Sequence, residues 1–396
     1  MPNSSFSRRA RHRVTVRGRL GVAVAGAGLA AAGLVTFGAG TASAKPVSQG
    51  QRADTGTVYT ETNQVAGNEV LAYRTDPGGG LTPVGSYPTG GAGTGASPAS
   101  QGGVTLGDGG RVLAVVNGGS DSVSVFLVGD AGTLQLVETV GSGGVDPISV
   151  TVNGPSVYAL NAGNATTRPD IGGFDLFGGL FIHQAVSEQP LNSAASSPEQ
   201  IGFTPDGRDL VVTEKGSNTI DVFPVDRFGL ADPAVTTSLA ANTGPYGFAF
   251  TRNGVAIVSE AAFGGLATFS VDPDGSVTQI SQVPDFQLAP CWVALTGYGN
   301  QTEAFTTNAH SGTVSAYSES ATGSLGLLNP DVQASPGAGD TDIAVSGSSL
   351  FIADNLGIDA SGISGSGTLG PSTPLVTGLP AGTFGLAATG GHGFGF

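Results

Sequence analysis

The 396-residue chain contains one cysteine, one tryptophan and one methionine, and only 11% of its residues are charged. A single thiol, Cys291, excludes an internal disulfide, so the fold must be held by packing. Lysine is nearly absent: Lys45 and Lys215 are the only two. After the opening segment, no apolar run approaches the roughly 20 residues needed to span a bilayer. No convincing helical periodicity is found there either.

Basic charge is scarce where it matters. Six of the fifteen basic residues, and none of the thirty acidic ones, stand before residue 45, which leaves nine against thirty and a net charge of −21 beyond that point. So acidic a surface argues against nucleic acid or anionic lipid as a partner. The first 44 residues have the layout of an export signal: arginines, an apolar Ala- and Gly-rich stretch, then Thr41-Ala42-Ser43-Ala44 as a small-residue cleavage site. Ser7-Arg8-Arg9 suits the twin-arginine route and the charges that follow suit the general one, so both stay open. The expected product is an extracytoplasmic monomer starting near Lys45.

What the chain has in quantity is glycine, 66 residues, with 23 prolines, and these punctuate short apolar runs. Many strands and many turns are the consequence. The clearest unit is 203–223, FTPDGRDLVVTEKGSNTIDVF: a Pro-Asp-Gly turn, an apolar strand, a polar knot at 214–218 and a second apolar strand. The unit recurs at 57–73, 111–126, from 156, 255–269, 303–317 and 349–363, a spacing of roughly 45 to 55 residues that matches four-stranded propeller blades. Another short strand precedes each copy except the first. The missing one stands at the far end, Thr383-Phe384-Gly385-Leu386-Ala387-Ala388, which predicts that the C-terminal strand enters the first blade and closes the ring. The reading is therefore all-β: an export signal over 1–44, a lead over 45–56, a seven-bladed β-propeller over 57–390 and a tail over 391–396.

In such a blade the start of the first strand and the end of the second share one face. This predicts a ring at the channel mouth made of Asn63, Asn117, Asn161, Glu214, Glu260, Asn308 and Asn355. Asn at a strand end commonly satisfies loop amides. Glu suits a tight turn poorly, so Glu214 and Glu260 are the catalytic candidates. The same geometry gathers Glu199, Gln200, Tyr246, Trp292 and Asp340 from strand starts, with Lys215 and His310 from loops, as substrate-binding candidates alongside Asn117, Asn161, Asn308 and Asn355. No second histidine is placed to complete a metal site with His310, and Asp-Pro-Asp-Gly at 272–275 lacks the rest of a calcium loop, so neither metal nor cofactor is expected.

The seven copies, the PDGR turn and the phrases TEKGSNTIDVF, GPYGFAF and CWVAL resemble the lactonase-type seven-bladed propellers, and most closely a secreted, carboxymuconate cyclase-like bacterial branch. That group includes 6-phosphogluconolactonase-like proteins and fungal carboxymuconate cyclases, and the resemblance spans about residues 57–390. It implies a lactone hydrolase or cyclase acting on a small lactone or organic acid in a cleft at the channel mouth, with Glu214 and Glu260 at the family's acidic positions. Two positions depart from the pattern. Pro198-Glu199-Gln200 stands where the family has His-x-His, and Tyr246-Gly247 where it has Arg-His. A non-catalytic propeller binding a glycan, peptide or protein with the same face is the alternative.

Overall fold

A computed structural model describes residues 56–390, except 77–78, 178–179, 184–186, 195, 299–300, 330–338 and 355–356. The export signal, all but the last residue of the lead, the tail and Asn355 lie outside the described residues. Six of the seven sheets have four antiparallel strands, and the third blade carries an additional short one. The fourth blade shows how the sequence builds the unit. Pro198–Phe203, Asp209–Glu214, Thr219–Pro224 and Val235–Ser238 follow in spatial and chain order. The Pro-Asp-Gly turn works because Gly207 takes φ +69, a left-handed conformation that costs glycine little. Thr204 fastens that turn by bonding the Asp206 carboxylate and the Asp209 main chain.

Ring closure follows the sequence expectation. Phe384–Ala388 pairs antiparallel with Thr57–Glu61, so chain end and chain start share the first blade. In the second strands of the blades nearly every residue is buried; Val112–Asn117 and Ser156–Asn161 are buried throughout. Both faces of these strands pack against other blades, which is why they read as unbroken apolar runs instead of alternating ones. The outermost strands, such as Val277–Pro284, are largely exposed or half-buried and face water.

The first strands of the third to seventh blades open with an irregularity. Between Pro147 and Ser149, Pro198 and Gln200, Pro245 and Phe248, Pro290 and Val293, and Asp340 and Asp342 the register shifts. Extra residues at these points turn side chains that a regular ladder would send elsewhere toward the ring axis. Proline is tolerated at a strand's first residue, because no ladder donor is lost there.

Candidate functional site

The strand-end ring forms in part as expected and differs at two positions. In the first blade the residue that pairs with the start of the inner strand is Glu61, opposite Phe384, and not Asn63. Asn63 lies beyond the strand in a left-handed turn (φ 51), where its amide bonds Thr94, Ala96 and Gly382. In the seventh blade the matching residue is Asp354, opposite Asp340. The ring is thus Glu61, Asn117, Asn161, Glu214, Glu260, Asn308 and Asp354, and all seven are buried.

These residues are occupied inside their own blades. Asn68 donates to Glu61 at 2.5 Å, Asn117 to Ser124 at 2.8 Å and Asn308 to Ser315 at 2.9 Å, each partner seven residues further on. Glu214 meets Asp221 at the same interval, and burial together with that second carboxylate holds its pKa well above the usual range. Gln282 donates to Glu260, and Asp170 accepts from Asn161 at 2.7 Å. Glu214 and Glu260 are 0% exposed, each with one carboxylate oxygen unpartnered. Their contacts stitch strands together.

A different acid stands at the predicted mouth. The shift after Pro198 turns Glu199 toward Lys215, whose Nζ lies 2.7 Å from Glu199 Oε1. The same ammonium sits 4.7 Å from the centre of the Tyr246 ring, a cation–π contact. The Tyr246 hydroxyl bonds the Glu199 carboxyl, and the ring stands edge-on to Trp292 at 5.7 Å. Burial raises Glu199 to about 7 despite the lysine, and it raises Tyr246 further above its ordinary value, with the Glu199 charge adding to the effect. Cys291, beside Trp292, is pushed up to about 12, mainly by burial. Only Lys215 reaches solvent appreciably: its side chain is 42% exposed against 5% for Glu199.

What packs against this cluster was not foreseen. The connection from the first blade to the second dives across the axis at Ala99, Ser100, Gln101 and Gly102. Ser100 donates to the Ile148 carbonyl of the third blade, and the Gln101 amide hydrogen goes to the Glu199 carbonyl of the fourth. The Gln101 side chain pairs with both main-chain groups of Val293 in the sixth, at 2.7 and 2.9 Å. Trp292 Nε1 donates to the Ser100 carbonyl, and Gly102 donates to Asp342 of the seventh. A segment bonded to four blades at once has to lie across the channel. One signal for it was present: a Cβ on Gly247 would stand 2.1 Å from Gln101 Oε1 and 2.5 Å from the Cys291 carbonyl, so glycine at 247 makes the room that the strap occupies.

Beneath the strap the channel is a cavity of about 500 Å³ lined by residues from the inner strands of all seven blades. Gln200 belongs there, bonding Phe248 through both ends of its amide. Asn117, Asn161 and Asn308 are blade staples, and His310 is exposed in the turn after Gln301–Asn308. Asp340 is buried at the start of the seventh blade, near enough for its charge to raise the Cys291 thiol. Among the described residues no group of three or more His, Cys, Asp or Glu converges as a metal set, and no helix is long and apolar enough to cross a membrane.

Solved structures match this architecture over nearly their whole length. A Bacteroides fragilis protein provisionally named a 6-phosphogluconolactonase aligns over 86% of this chain and 99% of its own, at 19% identity and a TM-score of 0.63. A similarly named Bacteroides uniformis protein covers 85% and 99%, with 18% identity and a TM-score of 0.66. The Pseudomonas aeruginosa periplasmic gluconolactonase PpgL covers 85% and 98%, at 17% identity and a TM-score of 0.64. The chain shares their fold. No family model and no curated protein matches it by sequence. Identity below one fifth carries the propeller architecture and leaves the chemistry to the site itself.

Proposed function

We propose that the chain is an exported, monomeric lactone hydrolase whose chemistry belongs to Glu199, Lys215 and Tyr246. The observation that carries this reading is the Glu199 carboxyl raised to about 7, 2.7 Å from an ammonium and bonded to a phenol. Ring opening needs a base to activate water and a cation or donor for the developing oxyanion. Glu199 takes a proton from water as the oxygen adds to the lactone carbonyl. Lys215 faces the resulting oxyanion. Collapse breaks the ring C–O bond, and the proton held by Glu199 passes to the departing alkoxide. Tyr246 and Trp292 set the lysine and present an apolar wall. With Lys215 the only cation in the cluster, the reading favours an uncharged lactone over a phosphorylated or dicarboxylic one.

A non-catalytic binding propeller is the second reading. It is favoured by the strap, which leaves Lys215 as the one group of the cluster open to water, and by Phe286 and Leu288, 82% and 65% exposed on a loop between the fifth and sixth blades. A hydrolysis screen of the purified mature chain against uncharged lactones, read by proton release, separates the two. The enzyme reading expects turnover that rises with pH through about 7, falls by about 10²–10⁴-fold in Glu199→Gln and persists in Glu214→Gln. Absence of turnover on every lactone, or equal loss in both variants, would remove Glu199 from the role of base.

A further inference from the structure

The channel cavity is separate from the Glu199 cluster. Glu199, Lys215, Tyr246 and Trp292 do not line it, and the Ser100–Gln101 strap lies between. Its apolar walls are Leu106, Ile201, Phe203, Phe248, Phe250 and Leu295, with Phe248 and Phe250 edge-on at 5.6 Å, and the Thr105, Thr151 and Thr389 hydroxyls that also line it are bonded to the main chain of Gly102, Phe203 and Thr57. Among the described residues no lysine, arginine or histidine lines it, and Asp342 is the only ionisable group that does.

The polar groups at its strap end are already engaged. Asp342 accepts from the amides of Ile343 at 2.8 Å, Leu386 at 2.9 Å and Gly102. Gln101 and Gln200 each bond a main-chain N–H and a main-chain carbonyl, on Val293 and Phe248 respectively. An anion would find no cation among the described lining residues, and a polyhydroxylated sugar would lose water bonds that these partly occupied groups replace only in part. An apolar molecule loses nothing of that kind and removes aromatic and aliphatic surface from water. About 500 Å³ falls within the size range of small-molecule sites, which are mostly apolar with a few placed polar groups.

We propose that the channel below the strap is a binding site for a neutral, predominantly apolar small molecule, distinct from the Glu199–Lys215 cluster.

The test is a fluorescence titration of the purified full chain with Nile red, an uncharged apolar dye. One saturable site is expected. Ala344→Phe or Ala294→Phe, which place a ring where small lining residues stand, should weaken it at least tenfold, while Phe286→Ser on the exposed loop should leave it unchanged. Decanol should displace the dye at concentrations where decanoate does not. Should the filling variants fail to fold, the decanol and decanoate arms and Phe286→Ser still decide, because they need no change in the channel. Non-saturable binding, displacement by decanoate as effective as by decanol, or loss of the site in Phe286→Ser would overturn the assignment.

Discussion

The two ends of the channel are built from the same seven strands and differ in almost every property. At the strand-start end Glu199, Lys215, Tyr246 and Trp292 crowd against a strap that bonds four blades. Away from it the described lining of the channel carries no ionisable group but Asp342 and is walled mainly by Phe, Leu and Ile, with Thr105, Thr151 and Thr389. Repetition supplies the frame, and four residues of one connection, 99–102, make the ends unequal. Polarity in this propeller is thus assigned by a non-repeated segment and by the register shifts at the strand starts.

The largest effect should come from opening the frame that both ends share. Deleting residues from Thr383 onward removes the strand that pairs with Thr57–Glu61 and exposes an unpaired edge. The cooperative thermal transition should disappear and the protein should aggregate; retention of a normal melting curve would mean that closure lies elsewhere. Next in size is the strap. Gln101→Ala leaves the Val293 N–H and C=O unpaired, which should cost about 1–3 kcal/mol for each group in denaturant unfolding. Gly247→Ala should act on the same strap by collision with Gln101 and the Cys291 carbonyl. Either change should also admit solvent to Glu199, lowering its pKa toward the ordinary 4.5 as the burial that raises it is relieved.

A smaller, distributed effect follows from the buried acids. Burial raises Glu199 and Asp342 to about 7 and Asp170 to about 6, against ordinary values of 4.5 for glutamate and 3.8 for aspartate. The folded chain therefore holds protons that the unfolded chain releases. Their contribution to stability is greatest below about pH 4 and declines as pH rises toward 7. Melting should occur several degrees higher at pH 5 than at pH 8, at about 2 °C per kcal/mol for a chain of this length; a higher melting point at pH 8 would contradict the burial of these groups. The smallest change is Trp292→Phe. Losing the Nε1 bond to the Ser100 carbonyl should cost about 1 kcal/mol and leave the channel cavity intact.

Much of the frame was legible because hairpins and turns are local. The Pro-Asp-Gly turn, the paired apolar runs and the orphan strand at 383–388 specify blades and closure without reference to distant residues. The ring was misread by two positions where the copies are least regular, Glu61 for Asn63 and Asp354 for Asn355. A polar partner seven residues on, Asn68 after Glu61 or Ser124 after Asn117, marks the staple position more reliably than the amide type does. Glu214 and Glu260 looked catalytic because glutamate is out of place in a turn. They end strands and face partners within their blades, where burial raises the pKa of both, to about 8 for Glu214 with the Asp221 carboxylate adding to the effect. Glu199 drew less attention because nothing in its immediate sequence reveals the register shift that turns it toward Lys215.

The sequence by itself determined the number of blades, the strand order within them and the closing of the ring, since each depends on short apolar runs, turn residues and their spacing. The tertiary structure alone decided which acid meets the lysine, which end of the channel is closed and what the open space is lined with. Those outcomes rest on contacts such as Gln101 with Val293, 192 residues apart, and no local pattern encodes a partner that only the curvature of the ring brings within reach.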